Sequence, residues 1–272
     1  MVRAAPGHPQ GAALSDDPIF RREGDLFVPS GHTRGPWDPG SQHGGAPAAL
    51  LAEAIRQEGM HVARLAYEFA GPVPLEPLRV QTRVVRPGRR LQLVEAELLA
   101  GAAPVMRARA TLLRRAHVSL PPGPDAEAVP GGGPEHGVRS PFPGEADDDE
   151  GFHRTAMEIR FTGGTGYGQG PALAWFRFAR PLVDGDAPSP LALVAAAADF
   201  GNGVSRVLDF ETHLFLNTDL SLHLHREPEG EWVLLESRTR VEPHGAGLAT
   251  SRLYDERGPI GAAAQSLFVA ER

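Results

Sequence analysis

The chain has 272 residues, enough for one large domain or two ordinary domains, and 41% of them are hydrophobic, so it can bury a substantial core. It contains no cysteine, which excludes disulfide bonds, thiol catalysis and cysteine-ligated metals; its formal net charge of −7, without a basic stripe, argues against nucleic-acid binding. No apolar run is long enough to span a bilayer, and residues 1–11 lack a signal-peptide core, so we expect a cytoplasmic protein without membrane partners.

The first half of the chain predicts one helix followed by an antiparallel meander. Residues 1–14 are rich in Pro, Gly and Ala and predict a flexible N-terminus. Residues 19–28 predict a β-hairpin, and the helical spacing of apolar residues over 46–57 predicts a helix that ends before Gly59. Strands are predicted by alternating apolar residues at 62–70, 78–85, 91–100 and 105–113.

Residues 116–150 interrupt this pattern, because their Pro-, Gly- and acid-rich stretches are typical of a mobile linker. Residues 151–272 then repeat the first pattern, with one helix from Leu191 that continues past Gly203. Strands are predicted at 155–161, 172–178, 220–224, 232–241, 248–254 and 260–270.

The two halves, 15–115 and 151–272, can be aligned as repeats, which predicts a pseudo-dimer within one chain. The matched segments are Leu93–Leu98 with Leu234–Thr239, Ala103–Val105 with Gly258–Ile260, and helix 47–54 with the helix before Asp199. The same alignment places Thr218 opposite Pro77 and Gln265 opposite Ala110. We therefore expect the first half to lack the functional site and to act as a scaffold.

Three polar residues of the second half interrupt apolar surroundings. Asp199 ends an Ala-rich helix, Thr218 opens the following strand, and Gln265 breaks the apolar run of the last strand. A buried carboxylate and a buried amide both need hydrogen-bond partners. Together, these side chains could hold one water molecule and remove its proton. The alternative interpretations are a surface carboxylate for Asp199 and an ordinary turn residue for Thr218.

The sequence around these residues resembles the C-terminal half of the acyl-CoA thioesterase II family, and to a lesser degree the resemblance covers 15–115. It rests on the segments 217–226, 231–235, 254–255 and 264–266. The resemblance implies an α+β double hotdog fold, in which each repeat wraps an antiparallel sheet around a helix. It also implies a water-activating triad of Asp199, Thr218 and Gln265 with no cofactor and no metal. The implied reaction, part of lipid metabolism, hydrolyses an acyl-CoA or related acyl thioester, and the implied assembly is a homodimer or higher homo-oligomer.

The segment His43-Gly44-Gly45 precedes the first helix. In simpler hotdog thioesterases a similar His-Gly-Gly supplies a backbone N–H that polarises the thioester carbonyl, which implies a substrate-binding role here. Free N–H groups and the positive end of a helix dipole favour that chemistry. Those enzymes also carry an acid later in the helix, whereas here Ala52 stands at that position and Glu53 follows. A helix cap with close packing is the alternative interpretation.

Other functions are weighed against hydrolysis. An acyl-thioester binding protein without turnover and an enoyl-thioester hydratase share the fold, but such a hydratase usually uses an Asp–His pair on one helix, and Asp199 has no His within two turns. A metal site at His213, His223 and His225 lacks an acidic or Cys partner at suitable spacing. Residues 163–168 lack the Lys of a phosphate-binding loop and predict a loop beside the pocket, and no Gly-x-Ser-x-Gly motif occurs.

Overall fold

Alternating apolar residues build a sheet of thirteen strands that holds the helices against one face. A computed structural model describes residues 17–121, 123, 127–142 and 150–272, so the predicted flexible N-terminus lies outside the described residues. The strands are β1 (Phe20–Glu23), β2 (Leu26–Pro29), β3 (Met60–Phe69), β4 (Leu78–Arg86), β5 (Leu91–Ala100), β6 (Ala103–Arg114), β7 (Met157–Gly163), β8 (Ala172–Phe178), β9 (His213–Asn217), β10 (Asp219–Leu224), β11 (Val233–Glu242), β12 (Ala246–Asp255) and β13 (Gly258–Glu271). The α-helices are α1 (Gly45–Ile55), α2 (Pro190–Ala198) and α3 (Gly201–Val204), and short helical turns of other types span Gly31–Thr33, Pro134–His136 and Phe152–Ala156.

The two halves share one continuous antiparallel sheet. Its strand order is β1-β2-β4-β5-β6-β3-β10-β13-β12-β11-β8-β7, and β9 also pairs with β13. The halves meet where β3 pairs with β10, with Leu65 opposite Leu222 and Tyr67 opposite Leu220. The prediction of a double hotdog fold with two helix-plus-meander repeats is therefore confirmed, and the structure adds that the two repeats share one sheet.

Helices α1 and α2 pack closely against each other because small residues line their contact. Every residue of α2 from Leu191 to Ala198 is buried. A Cβ atom on Gly45 would lie 2.7 Å from the carbonyl oxygen of Ala196, so only glycine fits there. The side chain of Ser189 caps α2 by accepting a hydrogen bond from Ala192 N–H at 3.1 Å. None of the described helices is long and apolar enough to cross a membrane.

Strand positions, counted outward from the β3–β10 junction, give the structural equivalence of the halves. By this count β6 corresponds to β13, β5 to β12 and β4 to β11. The alignment of Leu93–Leu98 with Leu234–Thr239 is therefore wrong by one strand, since the first segment lies in β5 and the second in β11. Amphipathic strands of one sheet resemble one another in sequence, and composition alone does not number them.

A bulge at the same place in both halves corrects the position of Thr218. The register of β3 shifts between Val62 and Arg64, and Thr218 separates β9 from β10. Before the bulge, Val62 pairs with Leu112 in β6 and Asn217 pairs with Leu267 in β13. Thr218 thus corresponds to Ala63 rather than to Pro77. Gln265, two residues before Leu267, corresponds to Ala110, two residues before Leu112, as the sequence alignment had it.

Part of the predicted linker is packed on the outer face of the second half. Trp175 donates its indole N–H to the carbonyl oxygen of Gly132 at 3.0 Å. Val138 and Phe161 exchange two backbone hydrogen bonds, of 2.8 and 3.0 Å. These residues therefore contact the second half and help to cover the apolar surface around Trp175. The mobility of the linker stays a prediction. Residues 124–126 and 143–149 lie outside the described residues.

Candidate active site

Asp199 lies at the C-terminal end of α2, where two amide side chains hold it. Only 5% of the residue is exposed. Asn217, the last residue of β9, donates its Nδ2 hydrogens to Asp199 Oδ1 at 2.9 Å and to the Asp199 carbonyl oxygen at 3.0 Å. Gln265 Nε2 donates to the same carbonyl oxygen at 3.0 Å and lies 3.5 Å from Oδ1. The carboxylate is thereby fixed in position while buried.

Two of the three predicted triad residues are in contact, and the third points elsewhere. Gln265 is 2% exposed and joins Asp199 to the backbone N–H of Asn202, which donates to Gln265 Oε1 at 3.1 Å. The hydroxyl of Thr218 instead donates to the carbonyl oxygen of Ser266 at 3.0 Å. No hydrogen bond joins Thr218 to Asp199 in the described structure, so its catalytic role stays a prediction. Asn217, which the sequence analysis missed, makes the contact with the carboxylate.

The segment before α1 approaches Asp199 from the other half of the molecule. His43 Nδ1 lies 3.0 Å from Asp199 Oδ2, and the imidazole stacks on Phe200 with ring centroids 4.3 Å apart. The same nitrogen lies 3.1 Å from the backbone N of Gly45. In this arrangement Nδ1 accepts the hydrogen bond from the Gly45 N–H, and its approach to Asp199 Oδ2 is a close contact that would become an ion pair only with a protonated ring.

Gly44 brings the backbone itself against the carboxylate. A Cβ atom at this position would lie 2.9 Å from Asp199 Oδ2 and 2.7 Å from the ring of Phe69, so a side chain does not fit. Among the described residues the Gly44 N–H forms no hydrogen bond. It stands at the N-terminal end of α1, where the helix dipole is positive. The site thus combines a buried carboxylate with an open backbone donor.

A cavity of about 510 Å³ adjoins these groups. Its polar wall contains Asp199, His43, Gly44, Asn202, Asn217 and Thr218, and its apolar wall contains the aromatic side chains of Trp37, Phe142, Tyr167, Phe210 and Phe215. Trp37 and Phe215 meet edge to face at 4.8 Å, and Phe210 lies 4.8 Å from Phe215. Tyr167 places the loop 163–168 beside the pocket, as predicted. Such a wall suits an apolar group of the size of an acyl chain.

Tyr67 lies beside the site and is hydrogen-bonded to α1. It is buried, and its hydroxyl donates to the carbonyl oxygen of Ala48 in α1 at 2.9 Å. Burial, and after it the charge of Asp199, raise the pKa of Tyr67 well above its ordinary value. The phenol therefore stays neutral and holds α1 in place.

In the first half, the carboxylate that corresponds to Asp199 is Glu53, and both of its oxygens already have partners. Glu53, near the end of α1, accepts a hydrogen bond from Ser189 N–H at the start of α2 at 2.5 Å. Its other oxygen pairs with Arg56 at 2.8 Å. Val62 and Ala110, the counterparts of Asn217 and Gln265, are apolar and buried. The carboxylate of Glu53 is therefore a helix cap and lacks the polar clamp found at Asp199.

Potential metal ligands occur at a different place from the one considered in the sequence. Within the described residues, Asp17, His32 and Glu150 form the one group whose ligand atoms lie within 4.8 Å of one another, and His213, His223 and His225 form none. Both ring nitrogens of His32 are already engaged, Nδ1 with Thr155 at 2.8 Å and Nε2 with Asp17 at 2.9 Å. These bonds explain the burial of His32 as a structural contact.

Comparison with protein-family models identifies both halves. Residues 33–113 match the acyl-CoA thioesterase N-terminal domain, and residues 130–269 match the acyl-CoA thioesterase C-terminal domain. A search of curated proteins found no match.

Solved structures with the same fold cover nearly the whole chain. A hot dog protein of unknown function from Alicyclobacillus acidocaldarius superposes with a TM-score of 0.68 at 17% identity, over 95% of this chain and 99% of that one. A candidate thioesterase from Novosphingobium aromaticivorans gives 0.66 at 22% identity, over 93% and 98%. An acyl-CoA thioesterase II from Mycobacterium marinum gives 0.61 at 14% identity, over 93% and 94%. At these identities the matches establish the fold.

Proposed function

Because this chain belongs to the acyl-CoA thioesterase family, we propose that it hydrolyses an acyl-CoA or a related acyl thioester to a free acid and a thiol. One observation carries the proposal. The buried carboxylate of Asp199 lies in the wall of an aromatic-lined cavity, held by Asn217 and Gln265, beside the open N–H of Gly44. Thioester hydrolysis needs a general base that activates water and a hydrogen-bond donor that polarises the carbonyl group, and the carboxylate and the N–H are groups of these two types.

In the proposed reaction, the acyl chain occupies the aromatic end of the cavity and the thioester carbonyl faces Gly44. Asp199 accepts a proton from a water molecule as the water oxygen bonds to the carbonyl carbon. The Gly44 N–H and the positive end of α1 stabilise the oxyanion. When the intermediate collapses, the C–S bond breaks and the thiolate takes the proton from Asp199. General-base catalysis of this kind contributes about 10²- to 10⁴-fold.

His43 would position the carboxylate in this scheme. With a proton on Nδ1 it donates to Asp199 Oδ2; with a lone pair there it accepts from Gly45 N–H and leaves Oδ2 open to water. The stacking of its ring on Phe200 keeps both options within reach. A change of tautomer, without movement of the backbone, would therefore control access to the base.

A second candidate function is the hydration of an enoyl thioester. The sequence argued against it because Asp199 has no His on its own helix, but the fold brings His43 within 3.0 Å of Asp199. An Asp–His pair can deliver the oxygen and the proton of water to the two carbons of a double bond. Hydrolysis stays the first proposal because the family match is to thioesterases.

One experiment separates the candidates. The purified protein is incubated with saturated acyl-CoAs of several lengths and with an enoyl-CoA, while free thiol and the absorbance of the conjugated enoyl group are followed together. Thiol release supports hydrolysis; loss of enoyl absorbance with the thioester intact supports hydration. Saturable binding of a non-hydrolysable thioether analogue with neither reaction would identify a binding protein and overturn the proposal.

A further inference from the structure

Asn202, near the start of α3, carries a buried oxygen atom without a partner in the cavity wall. The residue is 4% exposed, and its Oδ1 forms no hydrogen bond within the described structure. Its other polar groups are engaged: the backbone N–H donates to Gln265, and Nδ2 donates to the carbonyl oxygen of Phe215 at 3.0 Å. If the amide nitrogen and oxygen of Asn202 were exchanged, Oδ1 would face the Phe215 carbonyl oxygen, and two acceptors would repel each other. The amide is therefore assigned with Nδ2 toward Phe215.

An acceptor buried in this way requires a donor from whatever fills the cavity. Native proteins leave few buried polar atoms unsatisfied, because such an atom loses its hydrogen bonds to water without replacement. Gln42 Oε1 is a second unpartnered acceptor in the same wall, but Gln42 precedes α1 and is tied to Pro74 at 2.7 Å. Asn202 is the one that follows the candidate base in the chain.

The backbone places Asn202 on the same side as Asp199. The dihedral angles of Asp199 (φ −67°, ψ −19°) and Phe200 (φ −77°, ψ −9°) continue a helical turn from α2 into α3. Residues three apart on such a turn lie on one face. Both side chains line the cavity. A small molecule beside Asp199 is therefore near the side chain of Asn202.

The chemistry of the substrate restricts what that molecule is. The reacting end of an acyl thioester offers a carbonyl oxygen and a sulfur atom, both without hydrogen to donate, and an alkyl or aryl chain offers none. The first amide N–H of a CoA thiol is two carbons beyond the sulfur, so at the reacting carbon itself water is the remaining donor. We propose that Asn202 Oδ1 accepts one hydrogen of the attacking water while Asp199 takes the other; this inference rests on the proposed hydrolysis.

Two acceptors orient the nucleophile, whereas one does not. With both hydrogens directed at protein oxygens, a lone pair of the water faces the cavity and the carbonyl carbon. As the C–O bond forms, one proton passes to Asp199. The other stays on the new hydroxyl group, bonded to Asn202 Oδ1, and leaves with the carboxylic acid product.

Two variants separate this role from a structural one. Asn202→Leu and Asn202→Asp both lose the Nδ2 bond to Phe215, but only Asn202→Asp keeps an oxygen acceptor. We expect kcat of Asn202→Leu to fall by about 10²-fold, the effect of a misplaced reacting group, with KM and Tm near those of Asn202→Asp. Asn202→Asp, at its own optimum pH, should retain kcat within about tenfold of the wild type: in its neutral form the carboxyl O–H donates to the Phe215 carbonyl oxygen, and the other oxygen still accepts from water. Equal losses in the two variants, or a near-normal Asn202→Leu, would overturn the inference.

A crystal structure supplies a readout that does not depend on turnover. In the wild type, an ordered water should lie within hydrogen-bond distance of both Asn202 Oδ1 and the Asp199 carboxylate, and it should be absent from Asn202→Leu. If the wild type releases thiol but lacks this water, the inference about Asn202 is wrong while the proposed hydrolysis stands. The water without thiol release from any acyl-CoA would overturn the proposed hydrolysis, and with it the role of this water as nucleophile.

Discussion

Helices α1 and α2 each begin next to a carboxylate that comes from the other helix, but the two carboxylates have different hydrogen-bond partners. At the start of α2, the Glu53 carboxylate from α1 accepts the Ser189 N–H directly and pairs with Arg56. At the start of α1, the Asp199 carboxylate from α2 is held by Asn217 and other amide donors, and the adjacent Gly44 N–H stays open. A carboxylate at a helix N-terminus is thus a cap or a candidate base according to what else holds it.

The strands behind each carboxylate determine this difference. Asn217 and Gln265 supply amide groups in the second half, whereas their counterparts Val62 and Ala110 offer only apolar surface. Without amide donors, Glu53 finds its hydrogen bonds at the helix terminus and at a surface arginine. The comparison predicts large effects of substitution at one end and small effects at the other.

The largest effect should come from the two carboxylates themselves. Asp199→Asn keeps the size of the side chain and removes the proton acceptor, so thiol release should fall by at least about 10²-fold. Glu53→Gln, the matched control, should change turnover by no more than a few-fold, because Glu53 caps a helix. Steady-state thiol release, with analogue binding measured on the same preparations, checks both. A folded Glu53→Gln variant with several-hundred-fold lower turnover would show that Glu53 is a second reacting carboxylate.

A neighbouring pair tests which side chain holds Asp199. Asn217→Leu removes the amide that donates to Oδ1 and should lower kcat by about 10- to 10²-fold, because a mobile base is poorly aligned. Thr218→Val removes a hydroxyl that is bonded to Ser266 and should have a smaller effect. The comparison needs kcat and KM for both variants at one pH. If Thr218→Val loses as much as Asn217→Leu, the triad predicted from the sequence is the better description.

Acid should weaken the second half through Glu158. Burial alone would raise its pKa, but hydrogen bonds from Arg139, Arg160 and Arg177 outweigh burial and lower the pKa from 4.5 to about 2. Because the folded pKa lies below the unfolded one, this stabilisation is present above about pH 4.5 and is lost as the pH falls toward 2. It is worth at most about 3–4 kcal/mol at 1.36 kcal/mol per pKa unit.

Thermal melting of wild type and Glu158→Gln across pH checks this expectation. The Tm difference between them should be largest near neutral pH and shrink below about pH 4.5. In the first half, Glu95→Gln should follow the same trend, since hydrogen bonds from Arg109, against the effect of burial, and from Arg83 also lower the pKa of Glu95. A constant Tm difference across this range would mean that the arginines do not stabilise the ionised carboxylate.

The smallest effect is expected at the cap of α2. Ser189→Ala removes the side-chain oxygen that accepts from Ala192 N–H and should cost about 1 kcal/mol of the free energy of unfolding. Turnover per folded molecule should be unchanged, since this helix start holds no open donor for substrate. Chemical denaturation and thiol release measure the two quantities. If kcat of Ser189→Ala falls while the protein stays folded, the start of α2 also takes part in the reaction.

The regular elements of this fold were accessible from sequence because apolar residues repeat with the period of each element. Strand β9 was missed, since a bulge at Thr218 separates its five residues from β10. The sequence also did not indicate the contact of Asn217 with Asp199, because the additional residue at the bulge changes which side chain faces inward. The contact between His43 and Asp199 joins residues of different halves, and no local pattern reports such a contact.

The candidate site draws on both repeats, with the helix start at Gly44 from one and the carboxylate of Asp199 from the other. In a dimer of identical single repeats, every substitution appears twice, so a change that inactivates one reaction centre also inactivates the symmetry-related one. A tandem chain removes that constraint, because each repeat has its own copy of every position. One copy is then free to turn its carboxylate into a helix cap, and the two repeats can contribute different groups to a single reaction centre.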